Sequence, residues 1–239
     1  MRIIRKGKLS QLTTMPRLFP VNCYLVEEDE GVTLIDAGLA ISAKGIMDAI
    51  DDKEGSKPLT RIILTHAHGD HVGALDILKS AYPEATVFIS SRDDRLLRGD
   101  VSLDIDEPQS PIRGDIPKKI CTRADVLLED GDLVGSLRVI STPGHTPGSI
   151  SLMDTRSGAL IAGDAFQVRG GVAVSGVMSL RFPFPALATW NKEKALCSAK
   201  RLANLKPTLL AVGHGEMIDN PLEIMMNAID KADRKLNGK

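Results

Sequence analysis

Thr65-His66-Ala67-His68-Gly69-Asp70-His71 puts three histidines and an aspartate into a run of six residues, directly after the β-branched stretch Arg61-Ile-Ile-Leu-Thr65. That stretch reads as a short buried strand, and the ends of such strands are where α/β folds place their chemistry. Side chains two apart on extended backbone point to the same side, so His66 and His68 can grip one ion. Asp70 and His71 open the following helix and approach from another direction, with Gly69 allowing the tight turn between the two sets. Three imidazoles this close would repel if protonated. A divalent cation is the simplest compensation, and imidazole suits zinc, iron or nickel.

Working outward, the only two other histidines also sit in glycine-bearing turns. Ser141-Thr-Pro-Gly-His145-Thr-Pro-Gly holds one between two Pro-Gly turns, and Val212-Gly-His214-Gly215 ends an apolar strand. A third apolar strand ends in Ala162-Gly-Asp164. All three groups follow strands, so all can converge on one rim. Five histidines with Asp70 and Asp164 make seven candidate ligands. One four-coordinate metal cannot use seven, whereas two metals sharing a bridging carboxylate can.

Strands are expected at 19–26 and 32–36, joined as a hairpin, and at 61–65, 86–90, 126–129, 137–141, 149–153, 159–162 and 208–212. Helices are expected at 42–52, 71–81, 186–204 and 221–236, the last with Pro221 suited to its first turn. Strand, helix, strand over 61–90 is a βαβ unit. The stretch 99–120 carries three prolines and no period, which suggests a functional or mobile loop, and Ser91–Arg95 reads as a solvated helix face. No linker divides the chain, so 1–239 reads as a single domain.

Composition narrows the class. A formal net charge of -1 with no basic run argues against nucleic-acid partners. No apolar run approaches the length of a membrane span. The N-terminus Met-Arg-Ile-Ile-Arg-Lys lacks the apolar core of a secretory signal, which predicts a mature chain starting near Met1 and remaining in the cytoplasm. Cys23, Cys121 and Cys197 are odd in number and widely spaced; they form no metal motif and are expected to be reduced and mostly buried thiols.

The motifs HxHxDH, TPGHTPGS, GD and GHG, in this order over roughly residues 18–220, resemble the metallo-β-lactamase superfamily. The resemblance implies an α/β fold of the αββα four-layer kind, two mixed β-sheets flanked by helices, with a dinuclear site in a groove at one sheet edge. It implies His66, His68 and His145 as ligands of a first metal, Asp70, His71 and His214 as ligands of a second, and Asp164 as the bridge. Asp36, in Leu-Ile-Asp-Ala-Gly, matches a position where an aspartate supports a ligand histidine; such a carboxylate fixes the imidazole's tautomer and raises its basicity. None of the three cysteines falls at the position where the best-known β-lactamases use one as a ligand. No tyrosine follows Asp164 closely, as it does in acyl-homoserine lactonases. Little chain follows His214, unlike glyoxalase II.

Two divalent ions, expected to be zinc with iron or manganese as substitutes, can share a hydroxide that attacks a carbonyl. Asp70 is the candidate proton carrier. The expected activity is hydrolysis of an ester, lactone, thioester or amide of a small molecule. The alternative is a mononuclear iron oxidoreductase of the persulfide-dioxygenase kind. Phe166, Phe182 and Phe184, with Phe19 opposite, are expected to wall the substrate pocket, and Arg181 to bind a substrate anion. The expected partner is a small molecule, without nucleic acid or membrane; the oligomeric state is left open, a homodimer included.

Overall fold

The computed structural model describes residues 1–51 and 57–238. Among these, the first half of the chain forms a seven-stranded sheet whose spatial order follows the sequence: β1 (Arg2–Lys6), β2 (Leu9–Thr14), β3 (Val21–Glu27), β4 (Val32–Ile35), β5 (Leu59–Ile63), β6 (Thr86–Ser90) and β7 (Val126–Leu128). The first four strands are an antiparallel meander, and from β4 onward neighbours are parallel. The parallel strands are linked through α1 (Ala43–Asp51), α2 (Gly69–Val72), α3 (Leu75–Ala81) and α4 (Ser91–Leu97).

The second half contributes β8 (Leu133–Val134), β9 (Leu137–Ser141), β10 (Ile150–Asp154), β11 (Ala159–Ile161), a small hairpin of β12 (Phe166–Gln167) and β13 (Ala173–Val174), α5 (Phe184–Leu187), α6 (Lys192–Asn204), β14 (Leu209–Ala211), β15 (Ile218–Asp219) and α7 (Leu222–Asn237). The second sheet runs β15-β14-β11-β10-β9-β8. It too is mixed: β11 and β14 are parallel and the other pairs antiparallel.

Strand alternation sets the layering. On β3, Cys23 and Leu25 pack among the residues of α1, α3 and α4, while Tyr24 and Val26 face the opposite way. Leu34 and Ile62 join the helical side, and Ile35 and Ile63 the inner side. On the second sheet, Leu160 and Leu210 pack against α6 and α7, whereas Ile161, Leu209 and Ala211 meet Tyr24, Val26, Ile35 and Ile63. Helices, sheet, sheet, helices: the four-layer αββα arrangement follows from which side of each strand is apolar. β9, β11 and β14 run in one direction, so their C-terminal ends open on one edge, beside those of β4 and β5.

Several expected elements are revised. The helix at 71–81 is two pieces, interrupted at Gly73-Ala74, because α2 ends once it has delivered its two polar side chains. The helix at 186–204 breaks over 188–191, where Asn191 caps α6 by accepting from the Lys194 amide. The end of the 42–52 helix, at Asp52, lies outside the described residues. β1 and β2 were not expected; their mixed polar and charged composition hides strands that complete a sheet edge. The face at Ser91–Arg95 is not wholly solvated, since Asp93 and Asp94 are buried. Only Cys23 is a buried thiol; Cys121 and Cys197 are exposed. No helix among the described residues is long and apolar enough to cross a membrane.

Candidate metal centre

Four strand ends deliver the site. The loop after β5 carries His66 and His68 into α2, which adds Asp70 and His71; β9, β11 and β14 lead to His145, Asp164 and His214. Three groups of potential ligand atoms result, each within 4.8 Å: His66, His68 and His145; His66, His71 and Asp164; and Asp70, His71 and His214. All seven polar side chains expected from the sequence are thus brought together. Asp164 lies between the two outer groups, 3.4 Å from His145 Nε2, 3.4 Å from His71 Nε2 and 3.2 Å from His214 Nε2.

Each imidazole is held from behind. His66 Nδ1 donates to Thr65 Oγ1 (3.1 Å), His68 Nε2 to the Arg113 carbonyl (2.8 Å), His71 Nδ1 to Asp36 Oδ2 (2.8 Å), His145 Nδ1 to Ser175 Oγ (3.0 Å) and His214 Nδ1 to the Pro20 carbonyl (2.7 Å). With tautomers assigned from these partners, every remaining ring nitrogen faces inward, and the neutral rings His66, His68 and His145 turn lone pairs there. His68 Nδ1 and His145 Nε2 then face each other at 2.9 Å. Two lone pairs at that distance repel unless a cation lies between them. His66 Nε2, His71 Nε2 and Asp164 Oδ1 are buried without a hydrogen-bond partner, although buried polar atoms are rarely left so. The donor set therefore fits divalent metal.

The electrostatics divide the site. Burial pushes His66 well below the ordinary histidine range, with repulsion from His71, His145 and His68 adding to it. Burial likewise brings His145 down to about 3 against the opposing pull of Asp164, and these rings stay neutral. On the other side burial would also lower His71, but Asp70, Asp164 and Asp36 raise it to about 9. Burial pushes the Asp70 carboxyl up, and the charges of His71 and His214 outweigh it, holding it well below the usual carboxylate range. A field that draws protons onto His71 and His214 draws a metal cation in their place.

Asp36 lies behind His71, its backbone at φ 61°. It also accepts from the Thr65 amide and hydroxyl (2.7 and 2.9 Å), locking the start of the ligand loop. Other supports were not foreseen. Asp93 is fully buried and accepts from the Ala67 amide, the Thr146 hydroxyl and the Gly148 amide, which ties the His66–His71 loop to the His145 loop. Asn22 and Tyr24 donate across the sheets to the Val212 carbonyl, and Gln11 and Asn22 to that of Gly215, so the His214 turn hangs from the first sheet. A Cβ at Gly213 would come within 2.1 Å of Asp164 Oδ1 and 2.7 Å of the His71 ring. A signal was available for Asn22 and Tyr24, polar groups within the mostly apolar β3, and not for Gln11 or Asp93, which stand among other polar residues.

A groove of about 420 Å³ opens over the cluster; Phe19, Leu39, Asp70, Asp115, Phe184 and Leu187 are among the residues lining it. Phe19, Phe182 and Phe184 pack ring to ring at 5.0–5.3 Å, and Phe19 and Phe182 also lean on His214. Phe182 is 2% exposed and supports the wall from beneath, whereas Phe184, 51% exposed, forms its surface. Two expectations fail. Phe166 is fully buried among α6 and α7 side chains, because β12 turns it inward. Arg181 is exposed and lines no part of the groove. The 99–120 stretch is irregular as expected and is fastened at many points: Arg92 to Glu107, the Trp190 indole to the Ser110 carbonyl, and Asp115 O to the Gly69 amide (2.8 Å).

An αββα sandwich with paired His/Asp clusters at one edge defines a class of metal-dependent hydrolases, and the comparisons agree. The metallo-beta-lactamase superfamily model matches residues 16–214, and the chain belongs to that family. The uncharacterized protein YobT of Bacillus subtilis (strain 168) is 58% identical over 98% of this chain and all of its own length. The probable metallo-hydrolase YflN of the same strain is 32% identical, covering 81% of this chain and 80% of its own. A crystal structure of TTHA1623 in a di-iron-bound form matches with a TM-score of 0.62 at 30% identity, over 89% of this chain and 96% of that one.

Proposed function

We propose that the protein is a dinuclear metallohydrolase, with zinc as the working metal, that cleaves an ester, lactone, thioester or amide of a small molecule in the cytoplasm. The observation that carries this reading is the pair of inward-facing donor groups joined through Asp164, each with buried atoms left without a hydrogen-bond partner. His66, His68 and His145 would hold one ion, Asp70, His71 and His214 the other, and Asp164 would bridge them. When bound, such ions supply a nucleophile from water near neutral pH and polarise the scissile carbonyl.

The chain's own residues do the rest. Asp70 lines the groove and keeps its carboxylate ionised. Its Oδ2 faces His214 Nε2 at 3.3 Å, which leaves Oδ1 to take a proton from the attacking water and pass it to the leaving atom. The water oxygen joins the acyl carbon, the bond from that carbon to the leaving oxygen, sulfur or nitrogen breaks, and the proton completes the departing group. Phe19, Leu39 and Phe184 exclude water and orient an apolar acyl portion.

Metal analysis of the purified chain tests the reading together with a panel of esters, lactones, thioesters and amides. Two ions per chain and hydrolysis of one panel class are expected. A single iron per chain with no hydrolysis would favour the mononuclear oxidoreductase instead. Asp70→Asn keeps the side-chain shape and removes the charge, so kcat should fall by roughly 10²-fold or more with a much smaller change in KM. Full turnover in that variant, with both ions retained, would remove Asp70 from the role.

A further inference from the structure

Beside the metal groove lies a second cavity of about 310 Å³ with a different chemistry. Arg113, Lys192 and Lys235 line it, together with Ser175, Met178 and Leu187, and no carboxylate does. Among the described residues no ion pair involves any of the three cations; the Lys235 ammonium reaches only the Met178 carbonyl, at 3.4 Å. The metal groove is the reverse: it holds Asp70, Asp115 and Asp164 and no lysine or arginine.

The two cavities are neighbours. Leu187, at the end of α5, lines both; Arg113 borders one, and Gly114 and Asp115 the other. His145 faces the ligand cluster through Nε2, and its Nδ1 donates to Ser175, which lines the second cavity. A substrate lying over Leu187 would reach both.

We propose that this second cavity is an anion subsite. Lys192 and Lys235, with Arg113, receive a carboxylate or phosphate carried on the leaving group, while the apolar acyl portion lies against Phe19 and Phe184. The inference rests on the hydrolase reading and adds its substrate class: acyl compounds whose alcohol or thiol bears a negative charge. Ionised partners strengthen hydrogen bonds and give a charged group its preference over a neutral one of the same shape.

The test is a set of acyl thioesters with one acyl group and three thiols: 3-mercaptopropionate, its methyl ester, and 2-mercaptoethyl phosphate. For the whole metal-loaded chain, KM for at least one charged thioester should be about 5- to 10-fold below that of the methyl ester, and the gap should shrink as salt rises. The carboxylate and phosphate arms identify which anion is preferred. Lys192→Met with Lys235→Met should bring the ratio to within about twofold, Lys192→Arg should preserve it, and Lys192→Glu should invert it. Equal KM values in the parent protein, or a preference that survives the double methionine variant, would overturn the proposal. If no thioester is cleaved, thioesters are not the substrate class, and the hydrolase reading is decided separately by the ester, lactone and amide panel. Calorimetric titration of inorganic phosphate and glutarate then decides: binding to the parent lost in the double variant supports the subsite, and equal binding, or none to either, refutes it.

Discussion

At the scale of single residues, the site separates donors from the groups that aim them. Asp36 touches no candidate metal position, yet it fixes His71 and the Thr65 turn together. Asp36→Ala should lower affinity for the ion held by Asp70, His71 and His214 by about 10- to 100-fold, measured by competition with a chromophoric chelator; unchanged affinity would make Asp36 a loop residue only. Proton linkage gives a second expectation. His71 is raised to about 9 by Asp70, Asp164 and Asp36, so below that pH a metal must displace a proton from Nε2. Lower pH favours the protonated, metal-free form, and affinity should fall about tenfold per unit from pH 9 toward 6 for each proton displaced. Calorimetry in buffers of different ionisation enthalpy counts those protons; none released at pH 7 would contradict the assignment. The seven inward donors were legible because histidine is scarce in this chain and each one stands in or beside a glycine-bearing turn. Asp93 was not, since a carboxylate in Ser91–Arg95 reads as solvated until the loop it fastens is seen folded against it.

At the scale of elements, α5 shows why sequence could find the pocket wall and still misassign its members. Four phenylalanines were nominated from proximity to Asp164 and the first strand. Facing depends on where short elements turn: β12 sends Phe166 into the α6–α7 core, while α5 lays Phe184 on the groove with Phe182 beneath it. The two should respond differently to truncation. Phe184→Ala removes a half-exposed contact, about 1 kcal/mol or roughly 5-fold in kcat/KM for apolar substrates, with little change in Tm. Phe182→Ala empties a buried site and should cost about 3–5 kcal/mol of stability, seen in chemical unfolding, with losses on every substrate. The reverse pattern would show that the wall is built the other way round. Helix boundaries at Gly73 and 188–191 were likewise hidden, because the apolar period continues across both breaks.

At the scale of the whole molecule, the order of layers was implied by the family resemblance that the motifs carry, whereas the polar links between the sheets were not legible. They supplement the apolar core where the sheets meet. Gln11, Asn22 and Tyr24 cross from the first sheet to the His214 turn. At the surface Arg2 pairs with Glu216 (2.7 Å) and Lys6 with Asp219, joining the first strand to the last. Residues so far apart in sequence carry no local pattern that announces their pairing. β1 and β2 went unread for the same reason: their worth lies in what they bind at the far end of the chain.

Because the candidate ligands come from both sheets and run from His66 to His214, neither donor group is complete until the halves have docked. Metal capture is therefore a late event on the folding path, absent from a transition state built on nearer contacts. Its stabilisation should appear almost wholly as slower unfolding. At a thousandfold excess of free metal over Kd the gain is about 4 kcal/mol, close to a thousandfold in lifetime. Stopped-flow refolding should proceed at one rate with or without zinc, while unfolding in denaturant slows by that factor. Faster refolding in the presence of metal would mean that a ligand cluster forms before the sheets meet.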